Sequence, residues 1–144
     1  MTEDDRERYV RWQDYRITHF SFSINLFLVL AAAALGFAIS LLKDSTFIPK
    51  AGTGQALYRS VLSLACSIVF GSFATLCRLA DFRFTVIKIG KKYSDWRQSL
   101  AEFLAKYLGG LTWSFFYLQL AALAYGAFRL ITAILIIYSD KLSR

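Results

Sequence analysis

The sequence predicts an all-α integral membrane protein. It has three transmembrane helices, an amphipathic N-terminal helix and an amphipathic cytoplasmic helix between spans two and three. Three observations predict this. Phe20–Leu42 carries no charged side chain, and its roughly 23 residues make a helix of about 34 Å, enough to cross a hydrocarbon core of about 30 Å. A second uncharged run, Ser60–Cys77, lies between Arg59 and Arg78, and a third, Tyr107–Phe128, continues past Arg129 as LITAILIIYS. Hydrophobic residues make up 56% of the 144, and Gly and Pro number 8 and 1. That leaves room for one membrane domain and no linker-joined second one.

The leader, residues 1–19, mixes charge with aromatics, unlike the basic start of a secretory signal. Tyr9, Trp12 and Arg16 fall at helical spacing, so an interfacial helix is expected to run into span one, residues 20–42. His19 reads as an interface residue. An irregular outer loop over 43–56 contains Pro49, Gly52 and Gly54. Span two is expected over 57–79. Its Cys66 and Cys77 stand eleven residues apart, about 16 Å on one helix and beyond disulfide reach.

The segment 80–110 should hold the cytoplasmic helix. Ile89, Tyr93, Trp96, Leu100, Phe103, Leu104 and Tyr107 recur at steps of three and four with polar residues between them. Such a helix lies on the inner leaflet, or forms a collar against the leader or a neighbouring subunit. Gly109-Gly110 is expected to hinge into span three, residues 111–138, which leaves a tail over 139–144. Trp12, Tyr15, Arg16, Lys88, Lys91, Lys92, Trp96 and Trp113 are the candidate membrane-interface or docking residues.

Small and polar residues repeat along each span. Ser21, Asn25, Ala32, Gly36, Ser40 and Lys43 share a face of the first. Ser60, Ser63, Ser67, Gly71 and Thr75 form a ladder on the second, and Thr112, Gln119, Ala122, Gly126, Arg129 and Ala133 share a face of the third. Such faces let helices approach closely where lipid offers no hydrophobic drive. Ala32, Gly36, Ser40, Ser63, Ser67, Gly71, Thr75, Ala122 and Gly126 are therefore the candidate helix-packing residues. Intrachain packing accounts for such faces without any function, but three of them exceed what a minimal bundle needs, so contact with another copy is expected.

Arg129 interrupts span three, at a cost of about 2.5–3.5 kcal/mol on insertion scales. It can snorkel to the outer headgroups, bond to carbonyls, Asn25, Gln119 or a Tyr hydroxyl, or face a lumen. In the last case copies of it would form a positive ring. Arg129, Gln119 and Asn25 are the candidate lumen residues.

The net charge of +7 fits anionic lipid headgroups and cytoplasmic retention of positive residues better than nucleic acid. Leader and second loop hold eleven Lys and Arg, against five in the first loop and tail. This puts the N-terminus in the cytoplasm and the C-terminus outside. The spans contain no histidine beyond the boundary residue His19 and no carboxylate, and no metal-ligand spacing or phosphate loop occurs. No catalysis, metal or cofactor is expected.

The charged leader RYVRWQDYRITHF, the small-residue-rich hairpin and the basic stretch RLADFRFTVIKIGKKY resemble, in layout, bacterial membrane effector modules of the SLATT type. The likeness covers about the first 105 residues, and the third span departs from that two-helix pattern. It implies a defence or stress effector that assembles in the inner membrane and depolarises it when a cytoplasmic partner sensor signals. The expected function is an oligomeric inner-membrane protein that forms or gates a pore. The alternative is a non-conducting anchor or accessory subunit that docks a partner through its cytoplasmic helices.

Overall fold

The computed structural model describes residues 3–43, 53–89 and 95–142, all of them helical. The helices are α1 (Glu3–Lys43), α2 (Thr53–Ile89) and α3 (Asp95–Leu142). Each contains one stretch long and apolar enough to cross a membrane: Ile17–Lys43, Thr53–Arg83 and Tyr107–Ser139. The described chain is thus all-α with three candidate spans, running up, down and up. α2 and α3 form the close pair, and α1 rests mainly on α2.

No break separates leader from span in α1, and the described residues on both sides of the α2–α3 connection are continuous with their spans. α1 runs unbroken from the leader, and α2 continues beyond Arg83 to Ile89. The helix expected between spans two and three is not a separate element in the described residues, because α3 passes through Gly109-Gly110 without a hinge. Each of those glycines costs about 1 kcal/mol relative to Ala in an exposed helix. A break there would free backbone N–H and C=O groups at the edge of an apolar span, which is worse. Thr112 Oγ1 and Ser114 Oγ donate back to the carbonyls of Leu108 and Gly110 and keep the side-chain hydroxyls satisfied locally.

The connection between α1 and α2, the tail beyond Leu142, Lys91 and Lys92 lie outside the described residues. The side chains of Arg16, Lys88 and Trp96, and most of those expected on the amphipathic face, also lie outside them.

The core follows a seven-residue repeat. On α2 the buried positions are Thr53, Leu57, Ser60, Leu64, Ser67, Gly71 and Ala74, spaced four, three, four, three. On α3 they are Thr112, Phe116, Gln119, Gly126, Leu130 and Ala133, with Leu123 filling the gap at partial burial. Among the described side chains of α1, Ile24, Ala31 and Ala38 are the buried ones, one per seven residues. A mean step of 3.5 gives left-handed supercoiled packing with a crossing near 20°. Two apolar layers result. One gathers Ala38, Leu57, Leu64 and Leu130, and the other gathers Ile24, Ala74 and Phe116.

Candidate functional site

The α2–α3 seam is also polar, both within the first layer and between the two. Ser60 Oγ donates to the Gly126 carbonyl at 2.9 Å, Ser63 Oγ to Ala122 at 2.8 Å and Ser67 Oγ to Gln119 at 2.9 Å. Three hydroxyls on α2 thus bond to successive turns of the α3 backbone. The close approach comes from small residues on both sides. A Cβ added at Gly126 would stand 2.9 Å from Leu64 Cγ. One at Gly71 would stand 2.5 Å from Gln119 Nε2 and 2.7 Å from Leu28 Cδ2. The ladder Ser63, Ser67, Gly71 with Ala122 and Gly126 therefore serves packing inside the chain. Thr75 lies at its edge, and its hydroxyl returns to the Gly71 carbonyl.

Gln119, expected near a lumen, is completely buried among all three helices. Its Nε2 donates to the Ile24 carbonyl of α1 at 3.3 Å, and its Oε1 has no partner. Its amide acts as a cross-tie from α3 to α1.

Arg129 lies beside the seam and not in it. The inward residue at that level is Leu130, 5% exposed, which the four-residue reading of α3 had set on the other side. Arg129 Nε donates to the Tyr125 hydroxyl one turn back at 3.2 Å, with its guanidinium 5.3 Å from that ring's centroid. A Tyr hydroxyl was among the partners expected for it, and the cation–π contact adds to that bond.

The first span behaves differently. Asn25, Ala32, Gly36 and Ser40 are all exposed, and nothing lies within 4 Å of where a Gly36 Cβ would be. The face expected at helix contacts is therefore bare in the single chain, and α1 buries the other side through Ile24, Ala31 and Ala38. Among the interface aromatics, Trp12 and Tyr15 are exposed, and Tyr15 sits 4.0 Å from the ring of His19. Trp113 is partly engaged, its ring 4.4 Å from that of Phe20 on α1. Phe20 also meets Phe116 at 5.0 Å.

Sequence reasoning missed Arg78. It marked the end of the second apolar run, but it also reaches α1, where its Nη2 donates to the Ile17 carbonyl. A cation directly after an apolar run was the available signal.

No protein-family model, curated protein or solved structure matches the chain.

Proposed function

We propose that this is an inner-membrane protein that assembles with copies of itself through the outward face of α1, and that the assembly forms or gates a pore. The observation that carries the reading is Asn25. Its amide is exposed inside an apolar span, in line with the bare small residues Ala32, Gly36 and Ser40. In hydrocarbon such an amide gains by meeting another polar group, and α2 and α3 have already used their small faces on each other. A second copy supplies both the polar partner and the close-packing surface. Arg129, beside the seam, then faces either a shared lumen or the outer headgroups. The layout resemblance to SLATT-type effectors belongs to this proposal and adds a cytoplasmic sensor as the trigger. The charge count adds orientation, with the leader and the α2–α3 connection inside.

A second reading, an anchor that docks a partner, has its own support. α1 extends 14 residues beyond its apolar span, about 21 Å, and α2 and α3 also project from that end of the bundle. A projecting helical bundle offers a docking surface whether or not the protein conducts.

The test is the purified full chain, crosslinked in detergent and then reconstituted in planar bilayers. The pore reading expects oligomers that Gly36→Leu dissolves without lowering thermal stability. It also expects conductance whose ion preference moves toward cations in Arg129→Glu and not in Arg129→Lys. Oligomers that never conduct under any trigger leave the anchor reading, and a monomeric wild type removes the α1 interface itself.

A further inference from the structure

Where the helices enter their apolar spans, all three leave a cavity of about 310 Å³ between them. Phe20 of α1, Arg78, Asp81 and Phe82 of α2, and Thr112 and Trp113 of α3 line it. Gly109 keeps one wall thin, since nothing lies within 4 Å of where its Cβ would stand. The volume is at the lower end of those that hold small ligands, about 300–1,000 Å³.

Arg78 dominates the chemistry of the cavity. Its guanidinium carbon lies 5.1 Å from the Phe20 centroid and 5.7 Å from that of Phe82, so ring faces flank the cation. Nη2 is engaged with the Ile17 carbonyl, while Nη1 has no hydrogen-bond partner and no exposed surface. Leaving a charged donor in that state costs more than leaving a neutral one, and a guanidinium matches an oxyanion better than any other side chain does. Asp81, three residues on and on the same side of α2, lines the cavity but leaves Nη1 unpaired. The cavity therefore holds one cation and one anion, edged by the Phe20–Trp113 pair. It lies near the first residue of span one and the last of span two, the level at which a bilayer's apolar core would give way to headgroups.

We propose that this cavity binds a phosphodiester carrying a primary ammonium, the headgroup chemistry of an ethanolamine phospholipid. A phosphate oxygen takes Nη1 of Arg78, reached when Phe82, 43% exposed, turns aside. The ammonium pairs with Asp81. A headgroup with phosphate but no amine leaves Asp81 facing an anion, and a quaternary ammonium has no N–H to donate to it. The depth of the cavity makes a membrane lipid the source, although a free phosphodiester shares the chemistry. The site stands whether or not the assembly conducts.

The experiment uses the full chain, delipidated in detergent, with native mass spectrometry of its complexes with short-chain phosphatidylethanolamine, phosphatidylglycerol and phosphatidylcholine. Wild type should hold the ethanolamine lipid roughly tenfold tighter than the other two, a difference of the size given by one charge-assisted N–H bond from the ammonium to Asp81, which neither of the others makes. Asp81→Asn should erase the preference over phosphatidylglycerol while leaving the melting temperature unchanged. Arg78→Gln should lose all three lipids. Displacement of the bound lipid by equimolar glycerophosphoethanolamine would overturn the membrane source and assign the cavity to a soluble phosphodiester. A wild type that binds phosphatidylglycerol as tightly as phosphatidylethanolamine, or a preference that survives Asp81→Asn, would overturn the proposal. The Asp81 variant carries this decision even if Arg78→Gln fails to fold.

Discussion

The α2–α3 seam and the outward face of α1 carry the same kinds of residues and meet opposite fates. Gly71 and Gly126 leave no room even for a methyl group, while Gly36 has open space around it. Ser60 and Ser67 are completely buried and bonded to the facing backbone, while Ser40 is exposed. Small residues in a membrane helix therefore state that a backbone approaches closely, without naming whose backbone it is. The seam answers the question within the chain. The face of α1 finds no such backbone within the chain.

Substitution of the glycines should separate the two regions most sharply. Gly71→Leu must push aside the Gln119 amide and Leu28, and overpacking of this kind costs about 1–3 kcal/mol or more. It should lower the melting temperature of the detergent-solubilised monomer and disturb the α2–α3 pairing. Gly36→Leu should leave that melting temperature unchanged and act only on crosslinked oligomers. Ile68→Leu, away from the seam, should be silent in both assays. Equal behaviour of Gly71→Leu and Gly36→Leu would erase the distinction.

The hydroxyls come next. Replacing Ser60, Ser63 and Ser67 together by Ala removes three hydrogen bonds that average about 0.6 kcal/mol each in membrane helices. The triple variant should lose about 2 kcal/mol in a reversible unfolding measurement. Its backbone carbonyl partners remain bonded within α3, so the loss should stay well below that of a buried unpaired group. A triple variant as unstable as Gly71→Leu would mean that the serines do more than tie two helices.

Gln119→Met should have the smallest effect, and its sign is informative. The substitution forfeits a 3.3 Å bond to Ile24 and removes an oxygen that has no partner. A satisfied bond is worth about 1 kcal/mol, and an unsatisfied buried group costs about 1–3 kcal/mol. The bundle should therefore gain about 1 kcal/mol, the middle of a net range of about 0–2 kcal/mol. A clear loss of stability would mean that Oε1 has a partner in the membrane, and the seam would then be wetter than a packing interface.

Much of the architecture was legible in the residue order. The uncharged runs 20–42, 60–77 and 107–128 all lie inside the candidate spans, because length and the absence of charge alone decide whether a helix suits a bilayer. The continuity of α1 from leader to span followed from the spacing of Tyr9, Trp12 and Arg16. The α2 ladder was legible as a contact surface through its serines and Gly71. Reading it in steps of four rather than 3.5 drifts off the seam at its far end, where Ala74 is buried in place of Thr75, while Ser63 beside Leu64 still bonds across the seam to Ala122. The same drift set Arg129 in line with Gly126 when Leu130 holds that place. A few degrees per residue accumulate over the roughly four turns from Ser60 to Thr75, and supercoiling against a partner corrects them only once the partner is there.

The sequence by itself determined that the chain forms helices of membrane-spanning length, which face of α2 packs closely, and where cations stop the apolar runs. Those properties reside in single residues and their local spacing. Only the tertiary structure decided that α2 and α3 share their small faces while α1 keeps its own outward, that Gln119 ties α3 to α1, and that Arg78 opens onto a cavity with Asp81 and Trp113. These depend on residues from 32 (Asp81 to Trp113) to 95 (Ile24 to Gln119) positions apart meeting across helices. In a bilayer no apolar driving force announces such meetings in advance, because a leucine facing lipid and a leucine facing protein look the same to the solvent.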